Sequence, residues 1–230
     1  MSIRDAGAFA SRKTARPLLG NAMAKPIDLS QVTLAILAGG EGRRMGKPKA
    51  ELRIDGVPIL QYLLQSLQWP GPTLLVTAPS RERPPGSDAF DREAVDAEAQ
   101  GPLHGIVTAM QHADTELVAI ITVDMPAIAR EQLHWLIDQL VDHPARLGLM
   151  LRRPDNGDSR IEPFPFVCAK RASNLIAAHL HAGHRAVHSL LDYPDFAAIP
   201  APVDWPARTW TNLNTPQDFD RFVARDGKTL

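Results

Sequence analysis

The chain has 230 residues, room for one α/β domain with a full core, and its 26 acidic and 25 basic side chains give no bulk charge that would draw it to nucleic acid or to an acidic membrane. The single cysteine, Cys168, excludes an intrachain disulfide and a cysteine-only metal cluster, and it reads as a small buried hydrophobe. No apolar run approaches the roughly 20 residues of a membrane span and no secretory leader is visible, so we expect a cytoplasmic protein with no nucleic-acid or membrane partner.

Residues 1–30 are basic and aperiodic, with Pro17, Gly20 and Pro26, and we read them as a mobile tail ahead of a single domain over 31–226. Val32 to Leu37 is a short apolar run that stops at glycine, the pattern of a buried strand. Glu51 to Ile54 reads as extended, Asp55-Gly56 as a turn, and Pro58 opens an amphipathic helix that Pro70-Gly71-Pro72 ends. Thr73 to Thr77 is a second buried strand, 79–93 a loop, and Val95-Asp96 the end of a third, short strand. Gly101-Pro102 starts a helix with Leu103, Ile106, Val107 and Met110 inward.

Leu117 to Val123 is the strongest strand in the chain and ends at Asp124. Helix is expected over Arg130–His143, strand over Leu147–Leu151, and a turn at Pro154-Asp155-Asn156-Gly157. Phe164–Ala169 reads as a strand whose Pro165 demands an edge position or a bulge. Ala172–His181 and Ala186–Leu191 read as helices, Ala197–Ile199 and Arg208–Thr211 as short strands, and Pro216–Arg225 as a closing helix capped by Thr215. Strand, loop and helix alternate through the first 150 residues. That alternation implies a mostly parallel sheet, helices on both faces, and ligands beyond the carboxyl ends of its strands. The glycine-rich loop, Asp96 and Asp124 all follow strands and should converge on one rim.

After the first strand come Gly39, Gly40, Gly42 and Gly46 within eight residues, interleaved with Arg43, Arg44 and Met45 and followed by Lys47 and Lys49. Glycines let the backbone turn tightly and offer N–H groups to an anion, and the cations suit a triphosphate. It is not a P-loop, because five residues separate Gly40 from Gly46 and Pro48, not a hydroxyl residue, follows Lys47. Nor is it a dinucleotide fingerprint, since Met45 stands at the third glycine position. Asp124, directly after the apolar strand, is placed to reach a Mg²⁺ that bridges phosphate oxygens. No Ser/His/Asp triad can be assembled, and His181, His184 and His188 read as surface residues on a helical stretch.

The pattern LAGG-x-x-x-RMG-x-x-K resembles the nucleotidyltransferase superfamily, and more closely the molybdenum cofactor guanylyltransferases, the MobA family. Gly101-Pro102-Leu103-His104-Gly105 is similar to the family's GPLxG, with His104 where Ala is usual. Val123-Asp124-Met125-Pro126 is similar to its Asp-x-Pro segment, and Asn212-Leu213-Asn214-Thr215-Pro216 to its Asn-x-Asn-Thr-Pro motif. Arg160-Ile161-Glu162-Pro163 resembles a family segment near the acceptor site.

The resemblance spans about 32–225 and implies a Rossmann-like three-layer α/β/α fold. It implies that Leu37, Ala38, Gly39, Gly40, Lys49, Asp96 and Asp124 bind the nucleotide, and that Asp124 holds the metal. Lys49, Arg44 and Asp124 would carry catalysis, and Asn212 and Asn214 would take the acceptor. The substrates implied are GTP and molybdopterin, the cofactor Mg²⁺, and the further partners molybdoenzymes or proteins of cofactor biosynthesis, with the chain acting as a monomer. Two departures bear on the site: Pro48 precedes the lysine where Asp is usual, and Thr77-Ala78-Pro79 lacks an Asn that often contacts the nucleotide. One rival is transfer of CMP to the same cofactor, or of a nucleotide to another phosphorylated acceptor. The other is a non-catalytic nucleotide-binding accessory protein of molybdoenzyme maturation.

Overall fold

A computed structural model describes residues 27–40, 42–79, 82–154 and 160–226. The chain is already packed at its first described residues. Leu29 is buried, Ile27 lies against the core, and the Ile27 N–H donates to Asp138 Oδ1 at 3.3 Å. The packed unit therefore includes residues 27–30, which the sequence assigned to the tail; residues 1–26 lie outside the described part.

The strands are β1 (Val32–Leu37), β2 (Arg53–Ile54), β3 (Val57–Pro58), β4 (Thr73–Thr77), β5 (Arg92–Val95), β6 (Leu117–Thr122), β7 (Gly148–Arg153), β8 (Arg160–Ala169) and β9 (Phe196–Pro200). The helices are α1 (Ile59–Leu67), α2 (Pro102–His112), α3 (Arg130–Val141), α4 (Ser173–His181) and α5 (Pro216–Asp226). Seven strands form one sheet in the order β5-β4-β1-β6-β8-β7-β9, and β2-β3 is a separate hairpin across Asp55-Gly56. Within the sheet β8 alone opposes its neighbours; β5, β4, β1 and β6 pair in parallel, as do β7 and β9.

All six residues of β1 are buried. A strand covered on both faces is mostly aliphatic, each fully buried aliphatic side chain contributing about 1.5–3 kcal/mol, and the buried Thr33 satisfies its hydroxyl on Thr115 Oγ1 at 2.7 Å. The helices complete the three layers. The chain of α2 packs on β1, β4 and β5 and against α4, while α3 packs on β7 and β8, and Tyr62 of α1 meets Phe222 of α5 edge to face.

The strand containing Pro165 lies inside the sheet, between β6 and β7, and not at an edge. Its prolines are accommodated by a bulge: pairing with β7 jumps from Leu149–Val167 to Leu151–Glu162. Pro163 and Pro165, which lack an N–H, fall in the skipped stretch, and the Phe164–Pro165 peptide is cis.

Two further expectations are corrected. Arg208–Thr211 is no strand; Ala207–Trp210 forms a 3-10 turn after Pro206, with Thr209 N–H bonded to Pro206 O and Thr211 N–H to Arg208 O. Residues 187–192 are 3-10 rather than α-helical, and the Ser189 hydroxyl competes for the Ala186 carbonyl at 2.7 Å. Within the stretch read as loop, 3-10 residues 87–89 and the first residues of β5 are ordered. Beyond Pro154, the turn expected at 154–157 lies outside the described residues.

Candidate active site

The carboxyl ends of β1, β4, β5 and β6 open on one rim, and a cleft of about 630 Å³ lies there. Its walls come from five stretches far apart in sequence: Leu37 to Gly42, Lys49, Val76 to Pro79, Asp96 to Gly105, and Thr122 to Asp124. The sheet brings them together because parallel strands deliver all their exit loops to the same side.

Gly39 sits close to the neighbouring loop: a Cβ there would stand 3.2 Å from the Ala78 backbone nitrogen, which would have to give by a few tenths of an ångström. Gly42 is held more tightly still. Its φ is +60°, and a Cβ would meet the Lys47 carbonyl oxygen at 2.0 Å. The loop thus folds back on itself at Gly42 and carries the chain through Pro48 into the 3-10 turn Lys49–Glu51. Proline at that entry is locally apt: the Pro48 carbonyl accepts from Glu51 N–H at 3.1 Å, and no donor is required of it. Pro48 therefore leaves the lysine in place despite the missing acid.

Lys49 points into the cleft. Its Nζ lies 2.5 Å from Asp124 Oδ2 and 2.8 Å from Asn214 Oδ1. The Thr122 hydroxyl donates to the other carboxylate oxygen, Asp124 Oδ1, at 2.5 Å, and the Leu213 N–H donates to the Asp124 carbonyl at 2.9 Å. The Lys49 and Asp124 side chains are 15% and 17% exposed, so this pair is screened far less than a surface ion pair.

On the opposite wall Asp96 is buried, its N–H bonded to Thr77 O and its Oδ1 accepting from Ala99 N–H at 3.1 Å. The Ala99 backbone takes a positive φ to make that contact. Helix α2 begins at Gly101 and Pro102, and both residues lie on the cleft lining. With the glycine loop and Lys49 they form a surface suited to a polyphosphate. A hard divalent cation takes carboxylate oxygen and leaves its other positions to water and phosphate. The Asp124 carboxylate, fixed by Thr122 and facing open cleft, fits that demand. Among the described residues no three His, Cys, Asp or Glu side chains cluster as a cation cage.

Most of the residues expected at the site from sequence are brought together: Leu37, Gly39, Gly40, Lys49, Asp96 and Asp124 line the cleft. Ala38 is buried beside it, and its N–H is bonded to Val76 O. Arg44 sits exposed on the adjoining loop and does not line the cleft. The two asparagines part company. Neither is on the cleft lining; Asn214 reaches Lys49, whereas the Asn212 amide approaches Trp210 O at 3.4 Å. Thr215 caps α5, with Asp218 N–H bonded to its hydroxyl. His104 lines the neighbouring groove between α2 and α4, where its Nε2 meets Arg185 Nη1 at 2.6 Å. Thr122 and Ala99 were not anticipated. For Thr122 a signal existed, because a residue two before Asp124 along a strand shares its face.

Beyond β7 the same rim continues. Arg153 stacks over Trp210 at 5.8 Å, and Glu162 lies 4.0 Å from Arg153 and 3.5 Å from Arg160. Burial pushes the Glu162 carboxyl above its ordinary range, against the pull of Arg160 and Arg153.

A glycine-rich loop, a lysine, a strand-end aspartate and a helix N-terminus around one cleft define a nucleotidyltransferase, an enzyme that takes a nucleotidyl group from a triphosphate. Residues 34–195 match the family described as the MobA-like NTP transferase domain, and the chain belongs to that family. The molybdenum cofactor guanylyltransferase of Vibrio cholerae serotype O1 is 30% identical over 212 residues, 87% of this chain and 94% of that protein. Molybdopterin-guanine dinucleotide biosynthesis protein A of Archaeoglobus fulgidus superposes with a TM-score of 0.68 at 22% identity, over 82% of this chain and 95% of that one. The Rv0371c protein of Mycobacterium tuberculosis, solved in complex with manganese, has the same fold, with a TM-score of 0.56 at 20% identity over 85% of this chain and 99% of that one.

Two outcomes follow from the geometry. Gly42→Ala should displace the Lys47–Lys49 turn and weaken nucleotide binding by at least about tenfold, with little change in thermal unfolding, since the loop is at the surface. Equilibrium titration with GTP beside a melting curve checks both. The second concerns Glu162, whose raised pKa means that its favourable contribution to stability is complete below the ordinary value of 4.5 and is lost as pH rises through the folded value. Glu162→Gln should therefore melt no lower than the parent at pH 7, and any advantage should shrink towards pH 4. A variant markedly less stable at pH 7 alone would show the ion pairs outweighing burial.

Proposed function

We propose that this protein transfers GMP from GTP to the phosphate of molybdenum-bearing molybdopterin, releasing pyrophosphate, as a monomer in the cytosol. The observation that carries this reading is the Lys49–Asp124 pair at the mouth of a glycine-lined cleft, in a chain 30% identical to a molybdenum cofactor guanylyltransferase.

The triphosphate lies along the glycine loop, whose backbone N–H groups take its oxygens, and beside the start of α2. Leu37, Ala38, Gly39 and Gly40 contact the nucleotide by backbone, and Asp96 contacts it from the far wall. The Ala38 N–H, already bonded to Val76, contributes shape and not a donor. Thr77, Ala78 and Pro79 stand at the cleft wall without an amide side chain, so base selection falls on backbone groups and Asp96. The acceptor phosphate oxygen attacks the α-phosphorus, a new P–O bond forms, and the bond to the β-phosphate oxygen breaks. Charge then gathers on the departing pyrophosphate, where Lys49, aided by Arg44 from the rim, stabilises it. Asp124 would hold Mg²⁺, which would supply positive charge to offset that of the phosphates. Asn212 and Asn214 face the acceptor side and hold the pterin. Little covalent chemistry is asked of the protein.

The test is pyrophosphate release from purified protein with Mg²⁺, molybdenum-loaded molybdopterin and either GTP or CTP. GTP-dependent release is expected; preference for CTP would overturn the named product, and release with neither would overturn the acceptor or the activity. Asp124→Ala should lower the rate at least about a hundredfold while GTP still binds weakly and the fold persists. Near-normal Mg²⁺-dependent turnover in that variant would refute the metal role.

A further inference from the structure

The Lys49 ammonium has three N–H donors, and two are committed, one to Asp124 Oδ2 at 2.5 Å and one to Asn214 Oδ1 at 2.8 Å. The two acceptors belong to opposite halves of the reaction. Asp124 lies on the cleft wall at the end of β6, whereas Asn214 comes from the loop before α5, 165 positions away in sequence from Lys49. Leu213 N–H, bonded to the Asp124 carbonyl at 2.9 Å, fixes the spacing between them. Thr122 occupies Oδ1, so the carboxylate cannot rotate to present a different edge without losing that bond.

A divalent cation on this carboxylate would share it with an ammonium a few ångströms away. Like charges at that distance in a partly buried site repel strongly. The nearest position that relieves the repulsion and keeps the lysine charge paired is a phosphate oxygen of the incoming nucleotide. If the ammonium turns to the phosphates the N–H it now gives to Asn214, the amide oxygen is left without its donor.

From these contacts we infer that Lys49 is a latch between the two substrate sites. Arrival of metal and nucleotide draws it off Asp124 and in the same movement frees Asn214 for the acceptor. Asn214 is thus a positioning residue for Lys49 before it is an acceptor contact. The nucleotide and the acceptor bind with positive coupling, the nucleotide preparing the acceptor site. Coupling of this kind is reciprocal, so each ligand tightens the other by the same factor. The inference rests on the functional reading above, since it takes GTP and molybdopterin as the two ligands.

Two binding measurements, neither of them a rate, test it. The first compares GTP affinity in the presence of Mg²⁺ for the parent and for Asn214→Ala. Removing a side chain from the site should tighten GTP, by roughly three- to tenfold, because one hydrogen bond that competes for Lys49 is gone. A residue of merely structural importance would weaken binding or leave it unchanged, and either result would overturn the latch. The second measures molybdopterin binding by equilibrium dialysis, to protein alone and to protein saturated with Mg²⁺ and a GTP analogue whose α–β bridge is methylene. The parent should bind molybdopterin more tightly when loaded, and Lys49→Met should show no difference between the two conditions. Equal affinity of the parent in both conditions would sink the coupling even if Asn214→Ala failed to fold. Absence of GTP binding by the parent would instead overturn the functional reading, and the latch with it.

Discussion

The geometry of the cleft depends on how one carboxylate is held. Asp124 is bonded by Thr122 at one oxygen and Lys49 at the other, and its own carbonyl receives Leu213. Each partner fixes a different part of the chain. Thr122 ties the carboxylate to β6, Lys49 brings in the glycine loop, and Leu213 anchors the segment that leads to α5. A polar group this poorly exposed to water is stable only when its oxygens are satisfied. The same requirement that stabilises the charge therefore assembles three distant segments around it.

The sheet makes this assembly available. With β1 central, β4 on one side and β6 on the other, the loops after three adjacent parallel strands leave side by side. The reversed strand β8 has a second consequence. Because it runs against its neighbours, its first residues, Arg160 to Glu162, emerge on the same rim as the last residues of the parallel strands. Arg153 and Glu162, paired across β7 and β8, therefore stand on that same rim, with Trp210 beneath the Arg153 guanidinium.

Much of the cleft was legible because each of its parts follows a strand. An apolar run ending in Gly39-Gly40, another ending in Asp124 and a short one ending in Asp96 state their own positions once the sheet is taken as parallel. What was not legible depends on partners remote in sequence. That β8 lies inside the sheet could not be read locally, because Pro165 forbids regular pairing and only the bulge opposite β7 reconciles it with an interior place. The 3-10 turn at Ala207–Trp210 stands where a strand was expected, because after Pro206 the backbone closes its bonds on itself. The split between Asn212 and Asn214 was hidden for a similar reason. Two amides one residue apart look equivalent on an extended strand, yet only one of them meets Lys49.

The departures from the family pattern can be weighed on the same physical terms. Pro48 removes an acid but keeps the turn that aims Lys49, because that turn draws on the proline carbonyl and not on its nitrogen. The loss at Thr77-Ala78-Pro79 differs in kind, because an amide that could read a base edge is absent from the wall while the wall itself remains. A Cβ at Gly39 would come within 3.2 Å of the Ala78 backbone nitrogen, so a side chain there fits only if the Ala78 loop gives way by a few tenths of an ångström. The two loops are thus in backbone contact at the wall that has lost the amide, and the wall keeps its shape without it.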